Sequence, residues 1–170
     1  GFISKPSFDP NKFARGISYD QWIELNQDKK FPMLNRALQS QYPPGSTFKI
    51  VPVSGALSDG KVKLTSVFDC ENGLFNYAGV PLHDHKSYGQ LSVEKIITYS
   101  SNIGAAKVGI ELGPEKLYEH ICDFGFGTPT GIQLPSESRG ILHPVKKWSK
   151  VSIAQIPMGH GIAVTRLQMA

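Results

Sequence analysis

The sequence predicts a mixed α/β domain weighted toward helix, and three observations carry that expectation. Its 170 residues, 40% of them hydrophobic, suffice for a single core, since at this size roughly 70% of the unfolded chain's surface can be buried. Five stretches read as helices from their apolar residues and their cap-forming ends. Against these, Lys61-Val-Lys-Leu-Thr-Ser-Val-Phe-Asp-Cys70 alternates in the manner of a strand.

In chain order, residues 1–14 begin like the end of a strand, which Pro6, Pro10 and Asn11 break into a loop. Residues 18–28 form a short helix capped by Ser18, with Trp22, Ile23 and Leu25 as its apolar contacts. A helix from Ser46 to about Ser58 carries Phe48, Ile50, Val51, Val53 and Leu57, apolar on most sides as a buried helix requires. Pro52 conflicts with it, and a kink or distorted turn is expected directly after Lys49. After the alternating segment, the chain to Gly89 is rich in glycine and turn residues.

From Ser92 a helix runs through Val93, Ile96, Ile97 and Tyr99 to Ser100-Ser101-Asn102; another spans Ile103 to Leu112 and closes at Gly113. Pro114 and Gly125 frame a further helix carrying Leu117, Tyr118, Ile121 and Phe124. Residues 125–145 are punctuated by Gly and Pro and read as a long ordered loop covering the core. Thr165 is placed to cap a helix that the sequence leaves about one turn long. With Gly1 in place of Met at the other end, the chain reads as truncated at both ends.

Bulk properties narrow the function classes. The net charge of +4 comes from 18 Lys and Arg scattered among 14 acids, with a dense cluster only at Lys146, Lys147 and Lys150, so no nucleic-acid partner is expected. Cys70 and Cys122 lack metal-type spacing and read as small buried residues rather than a disulfide. His83-Asp84-His85 supplies too few clustered ligands for a metal site and reads as loop or core. No apolar run is long enough to span a bilayer, and no signal peptide precedes the first segment.

Chemistry enters with Gln41-Tyr-Pro-Pro-Gly-Ser46-Thr-Phe-Lys49. The break at Pro-Pro-Gly puts Ser46 in the first turn of a helix, and Lys49 shares its face three residues on, so the amine can reach the hydroxyl. A serine is inert near neutral pH unless a base takes its proton. A lysine can be that base where desolvation and the positive helix end lower its pKa. Spacing alone does not select this pair: Ser58-Asp-Gly-Lys61 and Ser92-Val-Glu-Lys95 have it too. Gly60 reads as a helix stop, which disfavours the first, and Ser92 reads as a helix cap.

Pro44-Gly45-Ser46-Thr47-Phe48-Lys49 closely resembles the first active-site motif of penicillin-binding proteins, and Ser100-Ser101-Asn102 resembles their second, S-x-N, at the family's interval. That pairing singles out Ser46. Pro6-Ser-Phe-Asp-Pro-Asn11, Phe124-Gly-Phe-Gly127, Thr130-Gly-Ile-Gln-Leu-Pro-Ser-Glu137 and Gly159-His-Gly-Ile-Ala-Val-Thr165 with Leu167-Gln-Met-Ala170 are similar to signatures of the class B, monofunctional transpeptidases. His160 and Arg166 depart from the Gln or Tyr, and Pro, common there. The family's third motif, a Lys-Thr-Gly or Lys-Ser-Gly strand, is absent. By family analogy that strand carries an oxyanion-hole donor, whose loss costs about a hundredfold to a thousandfold in rate.

The resemblance implies the penicillin-recognising α/β fold, helices on an antiparallel sheet, with residues 1–170 as a transpeptidase-domain fragment that keeps the helical half and lacks most strands. Without those strands the helices are expected to expose apolar faces. It further implies a peptidoglycan D,D-transpeptidase with Ser46 as acylated nucleophile, Lys49 as its general base, Ser100 as proton relay and Asn102 holding Lys49 or the substrate amide. No cofactor is implied. Implied partners are stem peptides ending in D-Ala-D-Ala, β-lactams, and divisome or elongation-complex proteins, at the outer side of the bacterial inner membrane. Two rivals share Ser46 and Lys49: a serine β-lactamase, with Glu137 the nearest candidate for its deacylating base, and a non-catalytic β-lactam sensor or scaffold.

Overall fold

The computed structural model describes residues 1–170. Its first helices, α1 (Asn11–Ala14) and α2 (Tyr19–Gln27), lie at the surface with no fully buried residue. At the start of α2, Ser18 Oγ accepts from the Gln21 N–H while the Gln21 side chain accepts from the Ser18 N–H, a reciprocal cap. The leading strand and unbroken loop expected over residues 1–14 are replaced in part by α1. There the Asp9 carboxylate accepts from the Asn11 N–H and turns the chain.

The expected helix from Ser46 to Ser58 forms in two parts, a 3-10 turn over Gly45–Lys49 and then α3 (Ile50–Ser58). Pro52 falls third in α3, inside the first turn, where its missing N–H has no helical partner to lose. The irregularity therefore precedes Lys49 rather than following it. Gly60, at φ +66°, stops α3, and the Lys61 N–H returns to the Ala56 carbonyl at 2.9 Å.

Of the alternating segment only β1 (Val67–Asp69) is strand. It is followed by a hairpin not anticipated from the sequence, β2 (Leu74–Tyr77) and β3 (Val80–His83), turned by Ala78-Gly79 with both residues at positive φ. Strand β4 (Gln90–Ser92) closes back antiparallel onto β1, pairing Val67 with Ser92 and Asp69 with Gln90. Ser92 then caps α4 (Val93–Thr98) by accepting from the Lys95 N–H, so the Ser92-Val-Glu-Lys95 match is a helix start with Lys95 exposed.

Next come α5 (Asn102–Leu112) and α6 (Pro114–Asp123), both as the sequence frames them. The long loop leads to α7 (Ser152–Gln155) and a 3-10 turn, Ile156–Met158. Ile162–Val164 passes between two partners: Tyr42 pairs with Val164, and Ile141 with Ala163. The Tyr42 bridge ties the approach to Ser46 to the far end of the chain. Thr165 and Gln168 exchange backbone-to-side-chain hydrogen bonds as a helix cap would, around a turn.

Helix α5 is the centre of the core, with Ile103, Ala105, Ala106, Val108 and Leu112 buried and α3, α4, α6, α7 and the 156–158 turn packed around it. Three glycines set how closely these pieces approach. A Cβ on Gly104 would stand 2.5 Å from Ile96 of α4, one on Gly109 2.2 Å from Pro157, and one on Gly55 of α3 2.5 Å from the His120 ring of α6. Cys70 is buried as expected, whereas Cys122 is exposed on α6; both are free thiols. Ile50 of α3 is 58% and Leu64 of the following turn 56% exposed, along an open groove between α3 and α4.

The close approach at Gly109 yields a direct test. Gly109→Ala forces α5 away from Pro157 and is expected to lower stability by about 1–3 kcal/mol in urea unfolding, although alanine has the better helix propensity.

Candidate active site

The junction between α4 and α5 is built from two helix ends that share three residues. Helix α4 stops in a Schellman motif: the Ser100 N–H bonds the Ile97 carbonyl at 3.1 Å and the Ser101 N–H bonds the Ile96 carbonyl at 3.0 Å. That motif needs a left-handed residue at its turn, normally glycine. Here it is Ser100, at φ +56°. Ser101 follows as the N-cap of α5, its Oγ accepting from the Gly104 N–H at 2.9 Å.

The left-handed turn presents both oxygens of Ser100 to Lys49. The Lys49 amine donates to the Ser100 carbonyl at 2.5 Å, to Ser100 Oγ at 3.0 Å and to Asn102 Oδ1 at 2.8 Å. An ammonium has three protons, and all three are accounted for. Lys49 is 2% exposed, and a buried lysine without such partners would be costly. Burial lowers its pKa from 10.5 to about 8, against the pull of the nearby Asp84 carboxylate, which raises it.

Ser46 occupies the 3-10 turn, where residues three apart eclipse one another, so it lies over Lys49 with its side chain exposed. Its hydroxyl takes no part in the lysine network. The structure thus brings Lys49, Ser100 and Asn102 into direct contact and carries Ser46 on the same 3-10 turn as Lys49, outside their hydrogen bonds, whereas the sequence spacing favours a Ser46–Lys49 contact. Two further groups support the arrangement. The His83 carbonyl accepts from Asn102 Nδ2 at 2.9 Å, turning Oδ1 toward the lysine. Gly159, at φ +82°, lies flush against Gly45, where an added Cβ would stand 2.2 Å from the Gly45 carbonyl oxygen.

The sequence assigns neither support this role. Gly159 enters only as the first residue of the Gly159-to-Thr165 signature, and His83-Asp84-His85 invites a metal reading instead. Asp84 in fact faces the start of α5, where its carboxylate accepts from Ser101 Oγ at 2.7 Å and from the Asn102 and Ile103 N–H groups.

A family profile described as "Penicillin binding protein transpeptidase domain" matches residues 2–170. The chain belongs to the penicillin-binding protein transpeptidase family. It is 34% identical over 170 residues to stage V sporulation protein D of Bacillus subtilis, covering 99% of this chain and 25% of that one. With the peptidoglycan D,D-transpeptidase MrdA of Acinetobacter baumannii it shares 32% over 185 residues, 99% of this chain and 27% of the relative. The crystal structure of penicillin-binding protein 3 from Mycobacterium tuberculosis in complex with aztreonam superposes with a TM-score of 0.76 at 34% identity, over 85% of this chain and 32% of that one. The chain thus spans about a quarter of the length of these curated relatives, and the class B resemblance and penicillin-binding protein fold read from the sequence hold.

Within this transpeptidase-family chain, the departures from the family pattern fall outside the lysine network. His160 is exposed, and the Arg166 guanidinium lies over the Tyr42 ring, 5.2 Å from its centroid. Glu137 accepts from the Thr130 N–H at 2.7 Å, from Thr130 Oγ1 at 2.6 Å and from the Gly131 N–H at 3.3 Å. The Thr130 hydroxyl holds its carboxyl below the usual range. That makes it a tie within the 125–145 loop and a weak base.

Two outcomes test this geometry. Because Lys49 titrates near 8 in the fold and near 10.5 when unfolded, the unfolded chain binds more protons between those values. The stability of wild type relative to Lys49→Met is therefore expected to rise from pH 8 to pH 10.5 and to be flat below that window, read by thermal melts across pH. Ser100→Gly and Ser100→Ala delete the same hydroxyl, but only glycine relieves the left-handed strain. The glycine variant is expected to be more stable than the alanine variant by about 1–2 kcal/mol in chemical denaturation.

Proposed function

We propose that the chain forms the helical half of a class B peptidoglycan D,D-transpeptidase active site, with the sheet and its Lys-Thr/Ser-Gly strand supplied by further sequence of the full-length protein. The observation that carries this reading is the buried Lys49 amine, held by both oxygens of Ser100 and by Asn102, with Ser46 three residues before it in the same 3-10 turn. A lysine with its pKa near 8 is neutral in an appreciable fraction of molecules at physiological pH, as a general base must be.

In this reading Ser46 Oγ attacks the carbonyl joining the two terminal D-alanines of a stem peptide as Lys49 takes the hydroxyl proton. The tetrahedral intermediate collapses and breaks the peptide bond. The departing D-alanine amine receives a proton relayed from Lys49 through Ser100 Oγ, which the 3.0 Å contact allows. An amine from a neighbouring stem peptide then attacks the Ser46 ester, its proton returns through Lys49, and Ser46 is released as the cross-link forms. Asn102 holds Lys49 in line throughout. β-Lactams would enter as substrate mimics and stop at the ester. In this reading the chemistry takes place outside the bacterial inner membrane, alongside elongation or division proteins, and the family resemblance supports that setting.

A serine β-lactamase is disfavoured by the engagement of Glu137 within its own loop, which leaves no evident base for a deacylating water. Fluorescent penicillin added to the full-length protein is expected to label it stably, with labelling abolished in Ser46→Ala. Equal labelling of that variant would overturn the nucleophile assignment, and rapid release of hydrolysed penicillin would favour the β-lactamase.

A further inference from the structure

The first turn of α5 leaves three N–H groups without helical partners, and the structure satisfies every one. Ser101 Oγ accepts from Gly104, and the Asp84 carboxylate accepts from Asn102 and Ile103. The same carboxylate accepts from Ser101 Oγ, so it accepts three hydrogen bonds, all from the stretch that follows Ser100. Strand β3 delivers it there, and the adjacent His83 carbonyl fixes the Asn102 amide. One end of a hairpin therefore grips the turn that grips Lys49, without touching Lys49 itself.

We propose that Asp84 is a positioning residue of this site: its carboxylate, acting through the first turn of α5, holds the Ser100-Ser101-Asn102 turn in the arrangement that binds Lys49. The inference rests on the transpeptidase reading above. Asp84 contributes a shape and a charge. The shape is the anchoring of a turn whose Ser100 is in a strained backbone conformation and would relax if the anchor were lost. The charge is a negative one beside the lysine, opposing the effect of burial on its proton affinity. Two titratable groups, His83 and His85, flank it in sequence, and others come from neighbouring elements. Lys49 comes from the catalytic turn. The Cys70 thiol, pushed up by burial, comes from the segment after β1, with Asp69 and Lys107 also acting on it. Lys107 is itself paired with Glu71 at 2.6 Å.

Asparagine at this position keeps most of the hydrogen-bonding shape and removes the charge; alanine removes both. The experiment follows the second-order rate of labelling by a fluorescent penicillin from pH 5 to pH 10, in full-length wild type, Asp84→Asn and Asp84→Ala. Asp84→Ala is expected to slow labelling on the order of 10²-fold, the effect of a small displacement of reacting groups. Asp84→Asn is expected to retain most of the alkaline plateau while its acid limb moves to lower pH, because Lys49 loses the charge that favoured its protonation. A role confined to folding would not move that limb. Wild-type rates in Asp84→Ala, or an Asp84→Asn limb superimposed on that of wild type, would overturn the proposal. If Asp84→Ala does not fold, the limb of Asp84→Asn decides. Absence of labelling in wild type would remove the transpeptidase reading and this inference together, whereas a labelled wild type matched by both variants removes this inference alone.

Discussion

Burial of the Lys49 amine is the constraint from which the rest of this structure follows. A cation 2% exposed must have its three protons accepted, and the molecule supplies a carbonyl, a hydroxyl and an amide oxygen from one short turn. To bring two of these from a single residue, the chain must reverse at Ser100 in a left-handed conformation. To hold that reversal, α4 must stop and α5 must start within three residues, and both ends need caps. The positions of the Asp84 carboxylate, the His83 carbonyl and the hairpin that carries them answer to the same demand.

The packing serves that geometry. Helix α5 runs through the middle of the core with small residues where neighbours press closest, so its first turn cannot drift without moving α4 at Gly104 or the 156–158 turn at Gly109. On the opposite side, Gly159 lies against Gly45 and joins the C-terminal segment to the turn bearing Ser46. Ser46 and the lysine network are therefore referenced to a common rigid frame, although Ser100 and Asn102 lie 51 and 53 residues beyond Lys49 in sequence.

Much of the helical framework was legible because its signals are local. Ser18, Gly60, Ser92, and Gly113 before Pro114 are all caps or stops that act within a few residues of the ends they fix. Lys49, Ser100 and Asn102 were legible only as motif and spacing, since nothing local to Ser46 reveals which oxygens the lysine meets. Asp84 was hidden for a plain reason: the cap it provides to α5 comes from seventeen to nineteen residues away, and no periodicity records that. The β2–β3 hairpin was missed because Ala78-Gly79 is a weaker turn signal than Asn-Gly, in a segment dense with turn residues. Pro52 misled because an interior proline and a first-turn proline look the same until the helix start is known.

The backbone at Ser100 also limits which residues the position can ever hold. A left-handed turn between two capped helices excludes β-branched and bulky side chains on steric grounds, before any chemistry is considered. Glycine fits and offers no hydroxyl; aspartate would add a charge beside the amine, and asparagine an amide. Serine is the small residue that tolerates the turn and still presents a neutral, exchangeable proton. Substitution at this point of the chain is thus constrained twice, by the left-handed backbone and by the hydrogen bond that Ser100 Oγ accepts from the Lys49 amine.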